Sequence, residues 1–177
     1  MKDKTRNIVF TALFAAIIAV FTAFVKINTP GGNGGYMHFG DSMIYLAASL
    51  LPPPFSICAA SIGGAFADII AGSPQWVPAT AIVKALNVVP FMLIGILRKP
   101  EQKNKILNKA TIGLPIVSGL ITVLGYFLAT VVMFGSPGAL ASLPANIIQA
   151  VGSALVFYGT AYALDTAKFK QRFASLR

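Results

Sequence analysis

Charge is scarce in this sequence. Only 11 % of its 177 residues are Asp, Glu, Lys or Arg, against roughly 25 % in soluble domains, and that deficit excludes an ordinary soluble enzyme. The single cysteine, Cys58, sits in an apolar run, so there is no internal disulfide framework and no zinc-type Cys/His spacing. The single histidine, His38, excludes a multi-histidine metal centre within one chain, and neither metal nor cofactor is expected. Five acidic residues and one histidine leave few actors for general acid–base catalysis. Gly-x-Ser-x-Gly, His-Glu-x-x-His and Walker sequences are missing. The chain therefore reads as a non-enzyme without its own ATPase, and energy for any transport comes from a partner or an ion gradient.

Apolar residues are plentiful instead: 56 % of the chain, with a mean hydropathy of +0.75. This excludes disorder. The apolar residues fall in runs long enough to cross a bilayer. The expected fold is an all-α integral membrane protein, one domain over 1–177, with six transmembrane helices near 7–27, 41–52, 55–71, 77–97, 111–134 and 140–164. The basic residues before the first run suggest a signal peptide, but the run is too long and lacks a small-residue cleavage site, so it is read as a retained helix. Breaks come from Asn28-Thr-Pro-Gly-Gly-Asn-Gly-Gly35, the triple proline 52–54, Ala71-Gly-Ser-Pro-Gln-Trp76 and Gly135-Ser-Pro-Gly138.

The net charge of +9 raises the question of nucleic acid, yet the cations sit between apolar runs rather than on one soluble face, so no nucleic-acid partner is expected. Twelve of the fourteen cations fall at the N-terminal segment (Lys2, Lys4, Arg6), in the segment 98–109 and in the tail from Lys168. With six spans all three lie on one side, which predicts a multi-pass cell-membrane protein with cytoplasmic termini. The exceptions are Lys26 and Lys84.

Ionisable side chains inside a bilayer cost roughly 2.5–3.5 kcal/mol each on insertion scales, so they need a partner or a task. Asp68 and Lys84 lie at similar depth, and a salt bridge between them is feasible; it either joins two helices or meets a polar solute. Asp41 is a natural N-cap for the second span and, with His38, sits where the Gly-rich loop meets it. Tyr36 and Trp76 are interfacial aromatics, as membrane anchors or as stacking surfaces for a flat ring. Asn87, Asn146 and Gln149 offer donor and acceptor together, for neighbouring helices or for a heteroaromatic solute. Ala12, Ala16 and Ala19 form a small-residue strip on the first span, suited to close helix packing within the bundle or against another protein.

Three stretches carry a family resemblance: Tyr36-Met-His-Phe-Gly-Asp41 and its continuation to Ala48, Gly63-Gly-Ala-Phe-Ala-Asp68, and Thr80-Ala-Ile-Val-Lys84. Together they resemble the substrate-binding S components of energy-coupling factor (ECF) vitamin transporters, in the riboflavin/hydroxymethylpyrimidine branch. The resemblance implies a six-helix protein that binds a vitamin near the outer face. Its implied partners are one transmembrane scaffold subunit and two cytoplasmic ATPases. Ala12, Ala16 and Ala19 would dock the scaffold, and the whole subunit would topple in the bilayer. The Gly-rich segment would be a lid over a pocket lined by Tyr36, His38, Asp41, Asp68, Trp76, Lys84, Asn87, Asn146 and Gln149. Hydroxymethylpyrimidine or a related thiamine precursor is the first substrate reading, with pyridoxine or riboflavin as the alternative. From a different class, a stand-alone carrier would use Asp68 and Lys84 as an ion relay.

Overall fold

Proline and glycine place the helix boundaries. In the computed structural model, which describes residues 2–28, 36–97 and 104–175, α1 spans Lys2–Ala23 and α2 spans Asp41–Leu50. Pro52 takes an extended conformation, and α3, Pro53–Ile70, begins on the next proline. The fixed φ of proline suits a first helical turn, where its missing N–H costs nothing. A 3₁₀ turn at Pro74–Trp76 leads into α4, Val77–Leu97. Helix α5 covers Leu114–Thr166 and α6 covers Phe169–Ser175.

An unbroken rod of 53 residues would be about 80 Å long, far more than the ~30 Å of a bilayer core. Gly135 divides it, with φ 77° and ψ 173°. That region is open essentially to glycine alone, so the break expected at Gly135-Ser-Pro-Gly138 turns on one residue.

The first span departs from expectation. The helix stops at Ala23, and Lys26–Asn28 forms a strand, β1, antiparallel to β2, Tyr36–His38. Val25 and Ile27 are β-branched and favour extended backbone. Lys26 donates to the Ala71 carbonyl at 3.4 Å and lies 4.9 Å from the Tyr36 ring centre, which ties the hairpin to the end of α3. The fold is therefore helical with one small β-ribbon. Residues 29–35, the expected lid, lie outside the described residues, as do 98–103 of the basic segment.

Helix α1 packs along α3, α3 along α4, and α4 along α5, while α2 touches all four. The core gathers Ile18, Ile44, Tyr45, Val88, Phe91 and Phe157. Outside, Phe66, Ile82, Leu93, Leu124, Leu128 and Leu155 are exposed, while Asp41, Lys84, Asn87, Thr122 and Gln149 are buried. Water would favour the reverse, and a hydrocarbon solvent accounts for it. Among the described residues four helices are long and apolar enough to cross a membrane: Lys4–Ala23, Pro53–Ile70, Pro74–Leu97 and Leu114–Thr166.

The bundle has two ends. At one lie the β-ribbon, the 3₁₀ turn and the Gly135 break. At the other, Asp165 accepts from the N–H groups of Ile106 and Leu107 at 2.7 and 2.8 Å, and Phe173 of α6 packs 4.6 Å from Phe10 of α1.

Close approach depends on the glycine pair in α3. A Cβ on Gly63 would meet the Ala15 carbonyl oxygen at 2.7 Å, and one on Gly64 would meet Lys84 and Thr80 at 2.9 Å. Gly63→Ala must therefore push α1 from α3, with an expected destabilisation of about 1–3 kcal/mol. A Cβ on Gly95 meets nothing within 4 Å, so Gly95→Ala should be neutral or stabilising. Thermal unfolding in detergent checks the contrast, and equal melting points would refute it.

Candidate binding site

The polar end is organised around one carboxylate. Gly40 is the N-cap of α2, and no side chain caps it. Asp41 is not the expected N-cap; it lies inside the first turn, where the positive end of the helix dipole favours an anion. Its side chain points inward instead. Lys84 Nζ of α4 donates to Asp41 Oδ1 at 2.5 Å, with both side chains fully buried. Thr122 from the first half of α5 and Gln149 from the second half both donate to Asp41 Oδ2 at 3.2 Å. Asn87 Nδ2 donates to Thr122 at 2.8 Å, while Asn87 Oδ1 is buried without a hydrogen-bond partner among the described residues. One acid thus joins α2, α4 and both halves of α5.

The β-ribbon closes over this cluster. The backbone N–H of His38 donates to Gln149 Oε1 at 3.4 Å, and the Gly40 N–H donates to His38 Nδ1 at 3.0 Å. An Nδ1 that accepts carries no proton, so the ring is neutral. Burial, reinforced by the Lys84 charge, lowers the His38 pKa to about 3.

Asp68 and Lys84 do not form the pair that their depth made feasible. Asp41 takes the ammonium, and Asp68 Oδ1 accepts from the Tyr36 hydroxyl at 2.7 Å. Asp68 Oδ2 is buried with no hydrogen-bond partner among the described residues. Trp76 is not an open loop aromatic: it is buried, edge-on to Tyr126 at 6.0 Å and 5.7 Å from Phe134. Tyr126 donates to Thr80 at 3.0 Å, and its ring lies 5.0 Å from Lys84 Nζ. Asn146 is half-buried, three residues before Gln149, and makes no side-chain hydrogen bond among the described residues.

Tyr36, His38, Asp41, Asp68, Lys84, Asn87 and Gln149 therefore converge at one end of the bundle, with Trp76 one aromatic layer away. Thr80, from the Thr80-Ala-Ile-Val-Lys84 stretch, belongs to the cluster, and so do Thr122 and Tyr126, which were not singled out from the sequence. The signal was there: Ser118, Thr122, Tyr126 and Thr130 recur every fourth residue, a polar stripe on one face of an apolar helix. On α1, Ala12 and Ala16 are exposed, whereas Ala19 is buried with Ala23 and Ala67. The outward strip is thus shorter than the sequence spacing suggested. Among the described residues no group of three His, Cys, Asp or Glu is placed to hold a metal.

Removing one member of a buried ion pair strands the other. Lys84→Met should destabilise by about 3–5 kcal/mol, and adding Asp41→Asn should restore part of that loss. Melting points of the two single variants and the double variant form the cycle, and strict additivity would show that the pair is not coupled. A second expectation concerns pH. The folded-state pKa of His38 lies below its usual 6.5, so its contribution to stability is full above about pH 6.5 and is lost as pH falls towards 3. His38→Asn keeps an acceptor without a titrating ring, and should remove that part of the acid sensitivity in pH-dependent melting.

The sequence model of the family described as "ECF-type riboflavin transporter, S component" matches residues 2–165. A protein of Pyrococcus woesei, described as "Uncharacterized protein in gap 3'region", is 34 % identical over 148 residues, 83 % of this chain and 93 % of that protein. A match over nearly the whole chain, on a helical membrane bundle with its polar residues gathered inside one end, places the protein in the family of ECF transporter S components, the membrane-embedded substrate-binding subunits of vitamin importers.

Proposed function

We propose that the cluster around Asp41 is the floor of a vitamin site and that the chain delivers its ligand to an ATP-driven ECF importer. The observation that carries this reading is a pair of buried acceptors, Asn87 Oδ1 and Asp68 Oδ2, neither with a hydrogen-bond partner among the described residues. A buried acceptor left unpaired costs about 1–3 kcal/mol, and a ligand with N–H or O–H donors repays it. The substrate class is a small heteroaromatic vitamin. Hydroxymethylpyrimidine offers an exocyclic amine and a hydroxyl, one donor for each acceptor, and is the first reading, together with related thiamine precursors. Riboflavin is the second, favoured by the description of the family. Pyridoxine stands behind both.

The orientation follows from charge. In this proposal α1 to α4 and the two halves of α5 are six passes of one domain, with the cation-rich end cytoplasmic and the Asp41 cluster outside. Ala12 and Ala16 are the exposed small residues available to the transmembrane scaffold subunit, and two cytoplasmic ATPases supply the energy. A stand-alone carrier running on Asp68 and Lys84 is less well supported, because each is engaged by a different partner, Tyr36 and Asp41.

Trp76 is the only tryptophan and lies beside Tyr126 near the cluster. Its emission should change saturably when detergent-purified protein is titrated with hydroxymethylpyrimidine, and the same titration with riboflavin, thiamine and pyridoxine ranks the alternatives. Asn87→Ala and Asp68→Asn should each weaken binding by about tenfold or more while the protein still folds. Silence from all four compounds, in fluorescence and in melting point, would overturn the proposal.

A further inference from the structure

His38 has one ring nitrogen committed to the fold and one that is not. The residue is only 4 % exposed. The second half of α5 holds its backbone from both sides. The N–H donates to Gln149 Oε1, and the carbonyl accepts from the Ser153 hydroxyl at 3.5 Å. Phe39 follows and lies against Gly152, where a Cβ would meet its ring. Nδ1 accepts from the N–H of Gly40, the residue that opens α2, at 3.0 Å. That bond fixes the tautomer: a neutral imidazole with an accepting Nδ1 carries its proton on Nε2. Nε2–H has no hydrogen-bond partner among the described residues. It points away from the corner of α1 and α2, because the Nδ1 edge faces that corner. A Cβ on Gly40 would meet Thr22 of α1 and lie 3.2 Å from His38 Nδ1.

The ring sits between two arms of the polar cluster. On one side Tyr36, with ring centres 5.7 Å apart, leads to Asp68. On the other, Gln149 leads to Asp41 and, through Thr122, to Asn87. Each arm ends in an unpaired acceptor, Asp68 Oδ2 or Asn87 Oδ1. Two acceptors and a donor on connected residues make a recognition pattern. We propose that His38 sets the specificity of the site. Its Nε2–H donates to an unprotonated ring nitrogen of an aminopyrimidine, while Asn87 Oδ1 and Asp68 Oδ2 take protons from its amine and hydroxyl. The proposal rests on the vitamin site of the preceding section and adds which atom of the vitamin is read. A site built to hydrogen-bond a group rejects the analogue that lacks it, because its own buried partner is left unpaired.

The test follows Trp76 emission in the detergent-purified full chain with two probes. One is hydroxymethylpyrimidine. The other is its benzene analogue, with both ring nitrogens replaced by C–H and the amine, methyl and hydroxymethyl groups kept. Hydroxymethylpyrimidine should bind about tenfold more tightly than the analogue. His38→Asn keeps an amide oxygen near the Nδ1 position and puts nothing at Nε2. It should hold its melting point at neutral pH, weaken hydroxymethylpyrimidine about tenfold and bring the two probes to equal affinity. His38→Gln puts an amide N–H near the Nε2 position instead. It should melt lower, because the Gly40 N–H loses its acceptor, yet keep the preference for hydroxymethylpyrimidine. A merely structural histidine would move both probes alike in both variants. Equal binding of the probes to the unaltered chain, a preference that survives His38→Asn, or its loss in His38→Gln would each overturn the proposal. Binding of riboflavin, pyridoxine or thiamine without a response to hydroxymethylpyrimidine would overturn it and leave the vitamin site standing. Silence from all four overturns both.

Discussion

The Asp41–Lys84 pair is the constraint on which the rest of the structure hangs. Two charges cannot be taken into an apolar bundle cheaply, and an ion pair repays the cost only with close geometry and further hydrogen bonds. Every neighbour serves that requirement. Thr122 and Gln149 satisfy the second carboxylate oxygen. Gly64 has no side chain, so the Lys84 stem can cross α3. The Tyr126 ring presents its π face to the ammonium at 5.0 Å. Four helical segments meet here because one carboxylate needs them all.

A division of labour follows between rigid floor and roof. The ion pair at the centre of the floor is satisfied by Thr122 and Gln149 and holds its shape without a ligand. Among the described residues the roof, the β-ribbon, is tied to the helices through His38 to Gln149 and Ser153, Tyr36 to Asp68, and Lys26 to Ala71. The unpaired acceptors Asn87 Oδ1 and Asp68 Oδ2 belong to the floor and to the seam with the roof. An arrangement of this kind favours a binding protein over a catalyst, because the ionic groups are consumed in holding geometry.

Much of this was legible in the sequence, for identifiable reasons. Prolines 52–54 and Gly135 act through their own backbone chemistry, so they mark helix ends without tertiary context. Long apolar runs report the solvent directly. The β-ribbon was not legible, because Val25-Lys26-Ile27 continues an apolar run and becomes a strand only through pairing with Tyr36–His38. Nor was the ion pair: depth alone matched Asp68 to Lys84, and the choice of Asp41 depends on how α2 lies against α4. The i, i+4 stripe from Ser118 to Thr130 was visible in principle, but hydroxyls in a membrane helix bond their own backbone as readily as a neighbour. The burial of Ala19 while Ala12 and Ala16 stay exposed is likewise a matter of packing against α3.

The spacing of the cluster along the chain has a consequence for biosynthesis. Asp41 and Lys84 are 43 residues apart, and Asp41 and Gln149 are 108 apart. During translation the carboxylate emerges well before its counter-ion, and long before the amide that completes its shell. Until Lys84 arrives, the Asp41 carboxyl must stay in water or take up a proton, because an unpaired charge in an apolar medium is costly. The shell around Asp41 can therefore close only once Gln149 has joined the bundle, and a chain that stops before residue 149 lacks the amide that completes it.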